Sequence, residues 1–120
     1  MTTYRLNESG KDRVMNERGI TTKVKNAVDD KVYWIATGPK PDGTYFTVVG
    51  PTRMFGMPPK KEMCEIFTPP TSEKECMEIH FALEEVVQKQ PRDKWASSLP
   101  DARLAARKMI DEAERQGLFR

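Results

Sequence analysis

The segment from Gly50 to Lys61 can be neither a helix nor a central strand, and it separates two differently patterned parts of the chain. It reads Gly-Pro-Thr-Arg-Met-Phe-Gly-Met-Pro-Pro-Lys-Lys. Pro51, Pro58 and Pro59 have no amide hydrogen to donate, and the two glycines favour turns. The segment nevertheless carries large apolar side chains. We therefore predict a long loop that either packs these side chains on the core or presents them to a partner.

Before this loop, apolar and polar residues alternate with the period of β-strands. Asp29 and Asp30 predict a tight two-residue turn, and Pro39 to Gly43 predicts a second turn. The predicted strands are 20–28, 31–37, 44–49 and, after the loop, 63–68. Short connections favour antiparallel pairing of neighbours in the sequence, which gives a meander.

Helical patterns stand at both ends of the chain. Ser72 and Glu75 form a capping box that opens a helix over 72–90, and a last helix is expected from about Pro100 to Gln116 with Ser98 as its cap. At the N-terminus, the segment from Ser9 to Asp12 also has capping-box spacing. It predicts a short helix through Val14 and Met15 that ends at Gly19.

These elements predict a single α+β domain over residues 1–120. The expected architecture is an antiparallel meander of three to four strands, with two C-terminal helices packed on one face and a short N-terminal helix. Two amphipathic helices are enough to cover one face of such a sheet. The other face is then left to meet water.

The composition favours a small water-soluble protein of the cytoplasm. Charged residues make up 32% of the chain, the mean hydropathy is −0.68, and the formal net charge is +2. Cys64 and Cys76 are too few for a disulfide framework, so reduced thiols are expected. No apolar run is long enough for a membrane span, and no motif predicts a cofactor. We expect no membrane partner.

The loop supplies the candidate residues for contact with a protein partner. Flexible methionines and a phenylalanine form an apolar centre, and basic side chains flank it. The predicted contact residues are Arg53, Met54, Phe55, Met57, Lys60 and Lys61. The alternative is that Phe55 folds back under the sheet edge as a core plug. The sequence does not separate these two interpretations.

The predicted sheet suggests a second candidate surface, for nucleic acid. The expected register places an apolar set on the core side, namely Val24, Val28, Tyr33, Ile35, Phe46 and Val48. The reverse side then carries Lys23, Lys25, Trp34 and Tyr45, beside Thr47. Aromatic rings can stack on bases while ammonium groups meet phosphates. The simpler interpretation is a cation–π pair of Lys25 and Trp34 on a solvated face, and a slip of one residue would exchange the two faces.

Cys76 and His80 are the remaining candidates for chemistry. They lie one turn apart on the inward stripe of the 72–90 helix, and Cys64 would be a third ligand for a metal. A structural zinc site needs four ligands, so a buried, hydrogen-bonded histidine beside a buried cysteine is the simpler interpretation. Glu78 and Glu85 are expected on the solvated side of this helix.

The sequence thus favours a non-enzymatic binding or regulatory protein that occludes a protein partner through the loop. Compact inhibitors made by phages and mobile elements, including anti-defence factors, are of this general kind. Nucleic-acid binding through the basic and aromatic sheet face is the alternative. An enzyme or metal site built on Cys76 and His80 is the more distant one.

Overall fold

The computed structural model describes residues 10–16 and 19–117, and the side chains of Asn16 and of residues 68–70 lie outside the description. The α+β class and the antiparallel meander are confirmed, with five strands where three to four were expected. The strands are β1 (Lys11–Asn16), β2 (Gly19–Lys25), β3 (Val32–Pro39), β4 (Tyr45–Pro51) and β5 (Glu65–Thr71). The helices are α1 (Glu73–Lys89) and α2 (Trp95–Arg115), with short 3₁₀ turns at Met54–Gly56, Lys61–Met63 and Arg92–Lys94.

The five strands lie in sequence order, and each pairs antiparallel with its neighbours. Helix α1 packs directly on one face of the sheet, and α2 packs chiefly on α1. The main core joins β2, β3 and β4 to α1 through Val24, Tyr33, Ile35, Val49 and Leu83, among others. We call the opposite side of the sheet, on which neither of these helices packs, the open face. In the described part of the chain, neither helix has the length and apolarity needed to cross a membrane.

The predicted N-terminal helix is wrong, because residues 11–16 form the edge strand β1. Arg13 pairs with Thr22 of β2, and its guanidinium reaches the carboxylate of Glu84 on α1. An isolated helix of so few residues has little stability of its own, whereas the edge of a sheet satisfies the backbone at once. Ser9, the predicted cap, lies outside the described residues.

The connection between β2 and β3 is longer than the predicted two-residue turn. Lys25 is the last paired residue of β2 and Val32 the first of β3. Asn26 organises the turn: its side-chain oxygen accepts from the amides of Val28 and Asp29, and its side-chain amide donates to one carbonyl in the last turn of α1 and one directly after it. Val28 is therefore 59% exposed and not part of the core.

Strand β4 presents the opposite set of side chains from the one predicted. Ile35 pairs with Val49 and Thr37 with Thr47, so Thr47 and Val49 point into the core. Phe46 consequently lies on the open face, as does Val48. The predicted pairing of β3 with β4 differs from the observed pairing by an odd number of residues. An odd shift exchanges the two faces of a strand.

The prediction of α1 is confirmed, whereas α2 starts earlier than predicted. Ser72 caps α1 by accepting a hydrogen bond from the amide of Glu75, 3.3 Å away. Helix α2 begins at Trp95 and not at Pro100, and Ser98 is not its cap. Trp95 is buried at the edge of the core, and its indole Nε1 donates to the carbonyl of Gln90. Burial of this large ring holds the first turn of α2 against α1.

Candidate functional site

The loop from Thr52 to Lys61, called here the apolar loop, lies over one end of the open face. Gly50 pairs with Trp34, and a Cβ atom added to Gly50 would lie 2.8 Å from Cβ of Pro59. Only glycine therefore lets the loop approach the sheet so closely. Lys23, the partner of Trp34 on β2, donates from Nζ to the carbonyl of Gly56 at 3.2 Å. These contacts fix the loop on the side of the sheet away from the helices.

Hydrogen bonds within the apolar loop fold it into a compact turn. The amide of Arg53 donates to the carbonyl of Met57 at 2.9 Å, and the amide of Met57 donates to the carbonyl of Met54 at 3.3 Å. Nε of Arg53 donates to the carbonyl of Pro58 at 2.6 Å. Thr52 ties the start of the loop to the carbonyl of Val32. The loop is thus braced internally and fastened to the sheet.

Phe55 projects from the top of this braced loop. Its side chain is 88% exposed, beside Met54 at 76% and Met57 at 47%. Its backbone lies in the left-handed region, with φ 60° and ψ 25°, followed by Gly56 at φ 69°. A bulky residue in this region is an outlier that costs about 1–3 kcal/mol and is held by its surroundings. The core-plug interpretation of Phe55 is therefore wrong.

The predicted basic residues of the loop divide into two kinds. Arg53 is half-buried, and its guanidinium braces the loop through Pro58 as described. Lys60 and Lys61 are exposed. The loop 52–61 contains three basic residues and the exposed Glu62 follows it directly, so the surroundings of the apolar tip carry a net positive charge. The role of Lys23 in fastening the loop was not found from the sequence, because no local signal links β2 to residues 33 positions later.

The structure does not bring the four predicted nucleic-acid contacts onto one surface. Lys23, and not Lys25, lies over the ring of Trp34, with Nζ 5.0 Å from its centroid. Lys25 pairs with Asp30 at 2.9 Å. Tyr45 alternates with Thr47 onto the helix side, where burial and then the charge of Glu73 raise the pKa of its hydroxyl. Trp34 and Tyr45 therefore face opposite sides of the sheet.

His80 lies at the centre of a buried hydrogen-bond network, as the simpler interpretation of the sequence expected. Its Nε2 and Nδ1 lie 2.8 Å from the hydroxyls of Thr22 and Thr37, respectively. Thr22 also donates to Glu84, and Thr37 lies 2.8 Å from Thr47. Burial lowers the pKa of His80 to about 4, although the carboxylate of Glu84 opposes the shift. The imidazole is therefore neutral near pH 7.

Cys64 does not join Cys76 and His80. Cys76 is fully buried on α1, whereas the sulfur of Cys64 lies 3.0 Å from a Cβ placed on Gly50, on the open face. Burial raises the pKa of both thiols. Among the residues that the structure describes, no group of three His, Cys, Asp or Glu side chains is placed to hold a metal ion.

Two carboxylates of α1 occupy buried positions that the helical pattern does not reveal. Glu78, expected to be solvated, is 7% exposed and accepts hydrogen bonds from Arg103 and Arg107 of α2. Glu84 is 2% exposed and pairs with Arg13 of β1. Both are covered because α2 and the edge strand flank α1 on sides that an amphipathic wheel assigns to water. Glu85 is exposed, as expected.

Comparison of the chain with models of known protein families, with curated proteins and with solved structures finds no match in any of the three.

Proposed function

We propose that the protein acts by binding a protein partner through the apolar loop. The observation that carries this proposal is Phe55, a large apolar side chain that is 88% exposed on a strained backbone in a braced loop. Strain of this kind persists where the surroundings over-determine the conformation, and it clusters at binding and catalytic sites. Met54 and Met57 extend the apolar tip with adaptable side chains.

The bracing of the loop favours binding by a preformed element. A segment that is already ordered pays less conformational entropy on association than one that must fold on its partner. Aromatic and methionine anchors enter pockets at the centre of protein interfaces, while charged side chains remain at the rim. The exposure of Lys60 and Lys61 in the same loop supports a role for them in such a rim. Occlusion of the partner, as in inhibitors from phages and mobile elements, remains a prediction from the sequence.

Site-specific photo-crosslinking tests this proposal. Benzoylphenylalanine replaces Phe55 in one protein and Leu104 in a control, because Leu104 is 58% exposed on α2, on the other side of the sheet. We expect a discrete protein adduct in source cells from position 55 and none from position 104. The variant Phe55→Asp, but not Leu104→Asp, should then fail to capture the same protein. Equal capture by both variants would contradict the proposal.

A further inference from the structure

The open face carries a row of apolar and small side chains that runs across all five strands. Val14 pairs with Thr21, Thr21 with Ala36, Ala36 with Val48, and Val48 with Ile66. Directly paired residues point to the same face, so these five side chains lie side by side. We call them the cross-strand row. Ile66, at the β5 end, is 72% exposed.

Larger groups border this row on both sides. Along the strands, the next paired set on one side contains Trp34 and Gly50, and the apolar loop packs over Gly50. The next set on the other side contains Phe46 opposite Gly38. Thr21 and Ala36 in this row are small and, like Val14 and Val48, only partly exposed, whereas Trp34 and Phe46 beside the row are large. The apolar loop with its exposed tip lies on the Trp34 side of the row.

We propose that the cross-strand row and the apolar loop form one binding surface, which takes an acidic amphipathic helix of the protein partner. This inference rests on the proposed function and names the chemistry of the partner. Adjacent strands lie ~4.8 Å apart, so the row is on the order of 19 Å long. A helix rises 1.5 Å per residue, and about 13 residues therefore match that length.

The backbone of the sheet favours a helix as the occupant. The row crosses β2, β3 and β4, whose backbone groups are engaged by neighbouring strands on both sides. A segment lying over them gains no main-chain hydrogen bonds from the sheet, so it must satisfy its own. A helix does so and can place an apolar stripe on the cross-strand row, as amphipathic helices do on apolar surfaces of their partners.

Charge favours an acidic helix as the occupant. The apolar loop contributes three basic residues, the acidic Glu62 follows it directly, and Lys23 lies against Gly56 at its base. In the paired set that contains Lys23 and Trp34, Asp12 of β1 lies opposite Lys23 and is the acidic residue. Acidic side chains flanking an apolar stripe would complement these basic side chains.

Titration with two designed peptides tests this inference. Each is a helix of about 18 residues with one leucine stripe, and the remaining positions are mostly glutamate in one peptide and mostly lysine in the other. Amide spectra of the ¹⁵N-labelled protein should shift at Thr21, Ala36, Val48, Ile66 and residues 54–57 with the glutamate peptide. We expect it to bind at least about tenfold more tightly than the lysine peptide at low salt, with the difference shrinking at high salt.

Variants separate the failure of this inference from failure of the proposed function. Thr21→Glu and Ile66→Asp should each weaken the glutamate peptide, whereas Leu104→Asp should not. The glutamate peptide could shift only the amide signals of residues 54–57 and bind both row variants as tightly as the unchanged protein. In that case the loop binds the peptide but the cross-strand row is not part of the surface. If Phe55→Asp binds the glutamate peptide normally while the two row variants do not, the proposal that the apolar loop binds the partner is wrong. Equal or absent binding of both peptides, or concentration-dependent dimerisation that shifts the row signals, overturns the inference.

Discussion

Oγ1 of Thr22 lies 2.8 Å from Nε2 of His80, and both side chains are fully buried between the sheet and α1. Thr22 has one hydroxyl hydrogen, which it donates to Oε2 of Glu84 at 2.7 Å. The hydroxyl must therefore accept from His80, so Nε2 carries the hydrogen of the neutral ring. Nδ1 is then the acceptor for the hydroxyl of Thr37. Thr37 then accepts from Thr47 at 2.8 Å, a shorter contact than the 3.3 Å from Thr47 to the carbonyl of Cys76. The short contact of Thr22 with Glu84 is what selects this tautomer.

The first prediction concerns this tautomer and its support. Long-range ¹H–¹⁵N spectra near pH 7 should show His80 with hydrogen on Nε2 and an unprotonated Nδ1. Thr22→Val should destabilise the fold by about 1–3 kcal/mol, because it leaves a buried N–H without an acceptor and removes a donor to Glu84. The neighbouring Thr21→Val on the open face should change stability by less than about 0.5 kcal/mol. The Nδ1–H tautomer would contradict the inferred direction of the network.

The second prediction concerns acid stability. The pKa of His80 falls from 6.5 to about 4 in the folded protein, so the unfolded chain binds a proton at higher pH than the folded one. Acidification from pH 7.5 to pH 5 should therefore reduce the free energy of unfolding by about 2 kcal/mol, measured by urea titration. His80→Gln should lower stability at pH 7.5 and flatten this dependence. An unchanged slope in that variant would show that other groups cause it.

The third prediction concerns the contact between the two helices. Glu78 is buried and accepts from Arg103 and Arg107, and these two guanidinium groups hold the pKa of Glu78 below its usual value although burial opposes them. Glu78→Gln should lower the free energy of unfolding by about 1–3 kcal/mol at pH 7, because it removes charge-assisted hydrogen bonds between α1 and α2. Glu114→Gln, which disrupts the exposed pair with Lys74, should change it by less than about 1 kcal/mol. Equal effects would show that Glu78 is solvated.

The fourth prediction has an unusual sign for a large-to-small substitution. Phe55→Gly should leave stability unchanged or raise it by up to about 1 kcal/mol, because glycine accepts the left-handed backbone and little packing is lost. Phe67→Ala, by contrast, removes a ring that packs against the core near Trp95 and should destabilise by about 2 kcal/mol or more. Thermal unfolding measures both. A loss of more than about 1 kcal/mol for Phe55→Gly would indicate that the ring packs on the protein.

The fifth prediction concerns the approach of the loop to the sheet. Gly50→Ala places a methyl group 2.8 Å from the ring of Pro59 and 3.0 Å from the sulfur of Cys64. It should destabilise by about 1–3 kcal/mol and shift the amide signals of residues 54–57. The additional change Pro59→Gly removes the obstructing ring and should recover part of the loss. If Gly50→Ala changed neither the stability nor these amide signals, the loop would not rest on this strand.

Local patterns were sufficient for the elements whose signals lie within a few residues. Ser72 and the apolar stripe after it predicted α1, and alternation predicted β3 with Tyr33 and Ile35 facing the core. The same reasoning placed Phe46 on the wrong face, because alternation gives the period of β4 and not its register. At the N-terminus, a capping-box spacing predicted a helix where pairing with β2 produces a strand.

The candidate site shows the same division. The sequence by itself determined that residues 50–61 form a loop with an apolar centre and basic flanks, because prolines and glycines exclude regular structure there. Only the tertiary structure decided that Phe55 points outward, since this depends on contacts of Lys23 and Gly50 with distant residues. It also decided that Glu78 and Glu84 are buried, because burial is set by which elements pack around a helix and not by the helix alone.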